Sequence, residues 1–102
     1  MKSENDKKLL DSAREEINRI DREMARLFLR RMRAVALVAE YKRAEGMAVY
    51  DPERERQVIE QNSALLPEDM REYYAAYQNG VMSVSRMYQE KLLSAEKADK
   101  QD

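Results

Sequence analysis

Between residues 14 and 42 one stripe of positions recurs at alternating steps of three and four: Arg14, Ile17, Asp21, Met24, Phe28, Arg31, Val35, Val38 and Lys42. That spacing is one face of a helix in a coiled-coil-like register. Leu10, Ala13, Ile20 and Leu27 widen the stripe. The pattern predicts a first helix from about Lys7 to about Ala44, capped by Asn5 or Asp6 and followed by Gly46. A helix of ~37 residues is about 55 Å long at a rise of about 1.5 Å per residue. A compact domain of this size is roughly 26 Å across. Much of the first helix is therefore expected to pack on something outside its own chain, most simply a second copy.

The stretch "GMAVYDPERERQ" then reads as a turn and a helix start: Gly46 ends one helix, Asp51 caps the next, and Pro52 takes the first helical position. The second helix is expected to run to about Asn62, with Val58 and Ile59 as its apolar contribution. "NSALLPED" is the next break, with Pro67 opening a third helix that runs to about Leu93. Its apolar residues are Met70, Tyr73, Tyr74, Tyr77, Val81, Val84, Met87, Tyr88 and Leu92. Gly80 inside it predicts a close helix crossing, since a mid-helix glycine costs about 1 kcal/mol relative to alanine. The fold class is all-α, with a long first, a short second and a long third helix. One domain is expected over residues 1–102, with a core of about 7–94 and a charged, frayed tail at 95–102.

Composition narrows the chemistry. Charged residues form 38% of the chain, but 19 Lys and Arg nearly balance 20 Asp and Glu, for a net charge of -1. Neither nucleic acid nor an anionic membrane is an expected partner on that balance. There is no Cys and no His, so thiolate nucleophiles, disulfides, the commonest general base and the commonest metal ligands are excluded. No segment has signal-peptide or transmembrane character, which makes a soluble cytoplasmic protein the expectation.

Several polar residues break the helical patterns. Arg14, Arg31 and Lys42 stand where the first stripe calls for apolar side chains. A buried cation is costly unless paired, so these either snorkel, pair with Asp21 or with Glu residues across an interface, or line a site. Ser85 and Gln89 are four apart on the third helix, flanked on their face by Val81 and Leu92, and either satisfy each other or join that site. With Arg54 the set offers guanidinium, ammonium, hydroxyl and amide donors, which suits a small dicarboxylate. Asp51 and Glu55 add acceptors for a ligand hydroxyl, or serve as helix cap and first-turn acid.

Taken together, "AREEINRIDREMARLFLRRM", "AEYKRAEGMAVYDPERER" and "SVSRMYQ" resemble the all-helical class of chorismate mutase from about Leu9 to Leu93, in its free-standing form. The link "QNSALLPED" is short beside the family's pattern. The resemblance implies an intertwined homodimer of three-helix chains with two active sites and no cofactor or metal. Each site would take Arg14 from one protomer and Arg31, Lys42, Asp51, Arg54, Glu55, Ser85 and Gln89 from the other.

The implied reaction is the Claisen rearrangement of chorismate to prephenate, in phenylalanine and tyrosine biosynthesis, which needs no nucleophile, metal or proton transfer. By resemblance, Arg14 and Arg31 bind the two carboxylates, with Arg54 and Ser85 in support. Lys42 and Gln89 donate to the ether oxygen. Glu55 and Asp51 hold the ring hydroxyl, and Glu55 orients Lys42. Two other readings stand beside this one. An isochorismate-pyruvate lyase shares the fold and cationic set but lacks the equivalents of Asp51 and Glu55. A non-enzymatic helical dimerisation module would merely pair its cations across an interface.

Overall fold

The computed structural model describes residues 3–101, with side chains described for residues 3–95. It has three helices, α1 (Glu4–Glu45), α2 (Pro52–Ser63) and α3 (Glu68–Gln101), and no strand among the described residues. The all-α, three-helix expectation holds.

The start of α1 is set by a reciprocal cap. The Asp6 amide donates to Ser3 Oγ at 3.2 Å and the Ser3 amide to Asp6 Oδ2 at 3.3 Å. This capping box satisfies two of the amides that a helix start leaves without partners. The cap is therefore Ser3 rather than Asn5 or Asp6, and the helix opens at Glu4 rather than near Lys7. Nothing interrupts it until Gly46, whose φ of 66° is left-handed. There the Met47 amide donates to Lys42 O at 2.7 Å and the Gly46 amide to Arg43 O at 3.2 Å, closing a Schellman motif.

Asp51 caps α2 as expected, accepting from the Arg54 amide at 3.0 Å, and Pro52 occupies the first turn. The exposed side of α2 carries Arg56 between Glu53 and Glu60, pairs at helical spacing that add little stability in water. Helix α3 continues past the expected end near Leu93 to Gln101. "SAEKADKQ" lacks apolar periodicity, but it also lacks Gly and Pro and is rich in helix-forming Ala, Glu and Lys. The side chains of the expected frayed tail from residue 96 onward lie outside the described ones.

The chain divides into two compact units, Met1–Arg33 and Ala34–Asp102. The described part of the first is a stretch of α1 whose apolar stripe faces solvent. Ile17, Ile20 and Met24 are exposed, Leu27 is 51% exposed and Phe28 54%. In the second unit α2 packs on α3. Its buried apolar residues are Val35, Ala39 and Met82, and its buried polar residues are Gln78, Ser85 and Gln89. This is a small core. Fully burying one Val or Met side chain is worth about 1.5–3 kcal/mol, while ordering each residue's backbone costs about 1–2 kcal/mol. Tyr73, Tyr77, Val84 and Met87, expected as apolar packing positions, are exposed. A Cβ at Gly80 would meet nothing within 4 Å, so the close crossing expected there is not made by this chain.

Candidate active site

The turn between α1 and α2 gathers several of the expected groups by purely local means. The Schellman motif reverses the chain just after Lys42. The half-buried Lys42 Nζ then donates back to Val49 O at 2.6 Å. A cation in the last turn of α1 is also favoured by the helix dipole. Two residues beyond Val49, Asp51 turns one carboxylate oxygen into the α2 cap. The cap occupies Oδ1. Asp51→Ala should cost about 1 kcal/mol of stability, while Asp51→Asn, which still caps, should cost a few tenths. Chemical denaturation measures both, and equal losses would show that the cap is not what Asp51 contributes.

Glu55, one turn into α2, pairs with Arg86 of α3 through its Oε1. Both side chains are largely withdrawn from solvent, at 20% and 30% exposed. The Arg86 guanidinium also lies over the Tyr50 ring, 5.1 Å from its centroid, at cation–π distance. The hydrogen bond that Arg86 donates to Glu55 raises the Arg86 pKa further above its already high value. Thus Glu55 is held by Arg86, and Lys42 by a backbone carbonyl, where the sequence led us to expect Glu55 beside Lys42. Arg86 was missed, although a signal existed: it is the only charged residue between Glu72 and Glu90.

The buried face of α3 is mainly polar. Gln78, Met82, Ser85 and Gln89 follow one another at steps of four, three and four, and all four are buried. Gln78 accepts from the Tyr74 hydroxyl at 3.3 Å. Ser85 Oγ donates to Val81 O at 3.1 Å, one turn back. Gln89, only 6% exposed, has no hydrogen-bond partner at Oε1. Such an orphaned buried acceptor costs about 1–3 kcal/mol. It marks a place where a polar group belongs. Gln78 and Met82 were not singled out from sequence, because a Gln–Met–Ser–Gln row has no apolar periodicity to reveal it.

The three other guanidinium groups are placed less specifically. Arg14 and Arg31 lie in the first unit, Arg14 exposed and Arg31 half-buried, and the Arg54 side chain on α2 is exposed. A shallow depression at the start of α1 is lined by Ser3, Glu4, Asp6, Lys7 and Leu10 and includes none of the expected site residues. Among the described residues no cluster of acidic side chains has the arrangement of a metal site, and no helix is long and apolar enough to cross a membrane.

The second unit therefore offers fixed donors and acceptors, an ammonium, a held carboxylate and a buried hydroxyl and amide, with no His or Cys anywhere in the chain. That is the equipment of an enzyme that binds and polarises a polar substrate rather than attacking it. The sequence model of one family, described as chorismate mutase type II, matches residues 2–90. The chain belongs to that family, and its activity is that of a chorismate mutase, an isomerase. No curated protein and no solved structure matches it.

Proposed function

We propose that the chain converts chorismate to prephenate as an intertwined homodimer, each site combining the partner's Arg14 with Arg31, Lys42, Asp51, Arg54, Glu55, Ser85 and Gln89. The observation that supports the site is the buried polar face of α3, where Ser85 and Gln89 are both withdrawn from solvent and the Gln89 amide keeps an unsatisfied oxygen, leaving its Nε2 protons for the substrate and its Oε1 for a donor. The exposed apolar stripe of α1 supports the dimer: Leu27 and Phe28 are both more than half exposed, and a second copy of that stripe would cover them.

In the rearrangement the ether C–O bond breaks as a C–C bond forms, and no atom enters or leaves. Negative charge builds on the ether oxygen. Donors already in position stabilise that charge without reorganising. Lys42 supplies the charged donor and Gln89 the neutral one. Arg14 and Arg31 clamp the two carboxylates in the compact, chair-like geometry, with Arg54 and Ser85 in support. For that task Ser85 must turn its proton away from Val81 O. Asp51 and Glu55 accept from the ring hydroxyl, and their presence favours the mutase over the lyase.

The test is loss of chorismate absorbance on adding purified protein, with the product identified as prephenate. Release of pyruvate from isochorismate would move the assignment to the lyase. A folded dimer inert toward both substrates would leave only the dimerisation module. A second prediction concerns the neutral donor. Gln89 donates at any working pH, whereas a glutamate there donates only when protonated. Gln89→Glu should therefore lose activity as pH rises, by nearly a hundredfold between pH 5 and pH 7 for a carboxyl of ordinary pKa of about 4.3. A flat profile for that variant would remove Gln89 from the ether oxygen.

A further inference from the structure

We propose that Arg86 is a positioning residue for the mutase reaction, acting by fixing the Glu55 carboxylate. This rests on Glu55 serving the substrate as described above.

The geometry is specific. One guanidinium nitrogen, Nη1, donates to Glu55 Oε1, so the contact is single and Oε2 keeps no partner among the described residues. Arg86 thereby anchors the carboxylate by one oxygen and leaves the other to accept from a ligand. The same guanidinium stacks on Tyr50, in the turn that carries Val49, the acceptor for Lys42, and Asp51, the cap of α2. One side chain on α3 thus braces both α2, through a charge-assisted hydrogen bond, and the turn before it, through a ring contact. It does so one residue after Ser85 and three before Gln89. Arg86 is turned about 100° around α3 from the buried Ser85 and, at a spacing of three, neighbours the buried Gln89, so it sits at the edge of the buried face, where it reaches α2.

A carboxylate on an exposed helix samples several rotamers, and only some of them meet a ligand hydroxyl. An arginine fork has fewer ways to hold it than a lysine amine.

A double-mutant cycle on the full-length protein tests this. Arg86→Met, Glu55→Gln and the double variant are assayed for chorismate turnover, with thermal melting recorded for each. Arg86→Met is expected to lower kcat/KM about tenfold in the parent and by less than about twofold once Glu55 is Gln. Arg86→Lys should recover part of the loss. Equal losses from Arg86→Met in both backgrounds would make Arg86 a structural brace and overturn the proposal. So would unchanged kinetics for Arg86→Met while Glu55→Gln is impaired. If Glu55→Gln itself matches the parent, the reading of Glu55 as a substrate contact fails instead. Should Arg86→Met not fold, Arg86→Lys goes through the same cycle, with a loss of about threefold expected in the parent and none beside Glu55→Gln.

Discussion

Replacing Lys42 with alanine is expected to lower kcat/KM by about three orders of magnitude, at or beyond the upper end of what one lost oxyanion-type donor costs. The reason lies in how the amine is held. Lys42 is the first residue of the Schellman motif, so its carbonyl is held by the Met47 amide. Its Nζ is fixed in turn by Val49 O at 2.6 Å. An ammonium has three protons, and that bond uses one. Two remain, and in the proposed site they donate to the ether oxygen. The loss should fall on kcat as well as kcat/KM, because the ether oxygen gains charge only as its bond breaks. Lys42→Arg should recover little, since the planar guanidinium is longer and cannot keep the Val49 contact with the same geometry. The measurement is steady-state kinetics on variants shown to be dimeric. Near-parental turnover by Lys42→Ala would end the assignment of Lys42 to the ether oxygen.

Legibility from sequence follows how local each feature is. The turn between α1 and α2 was readable residue by residue, because Gly46, Asp51 and Pro52 each act through their own backbone. The end of α3 was misread because periodicity reports a buried face, and a helix can outlast its buried face when no Gly or Pro stops it. The cap of α1 was missed by a small shift: Asp6 was considered as the cap, and it is instead the reaching partner of Ser3. Arg86 shows the larger gap. Its partner Glu55 lies 31 residues away, a pairing that no spacing rule within one helix can supply. Gln78 and Met82 on the buried face of α3 escaped for the opposite reason to α1's stripe. Apolar periodicity finds what packs on hydrocarbon, and Gln78, Ser85 and Gln89 are polar side chains that are buried all the same. Ser85 and Gln89 were reached through the set of donors they complete, while Gln78, which has no such set, was not.

The second large effect concerns Arg14 and Arg31 together. If each site takes Arg14 from one protomer and Arg31 from the other, Arg14→Ala and Arg31→Ala homodimers each lack one carboxylate clamp in both sites. Both should be strongly impaired, by about two to three orders of magnitude, since a bidentate guanidinium–carboxylate pair combines charge and orientation. Mixing and refolding the two chains changes the count. In a heterodimer one site pairs both alanines, and the other pairs an intact Arg14 with an intact Arg31. Random association makes about half the dimers mixed, so about a quarter of all sites are whole. Activity should rise to about a quarter of the parental value, far above either homodimer. A site built within a single chain gives no rise at all on mixing, because every chain then carries its own defect. The same measurement tests the exposed α1 stripe. Leu27→Glu in both chains puts like charges where the two stripes would meet. It should abolish both the dimer, seen by sedimentation, and the recovered activity. Recovered activity in a Leu27→Glu mixture that still sediments as a dimer would show that the stripe is not the dimer contact and place the covering surface of α1 elsewhere.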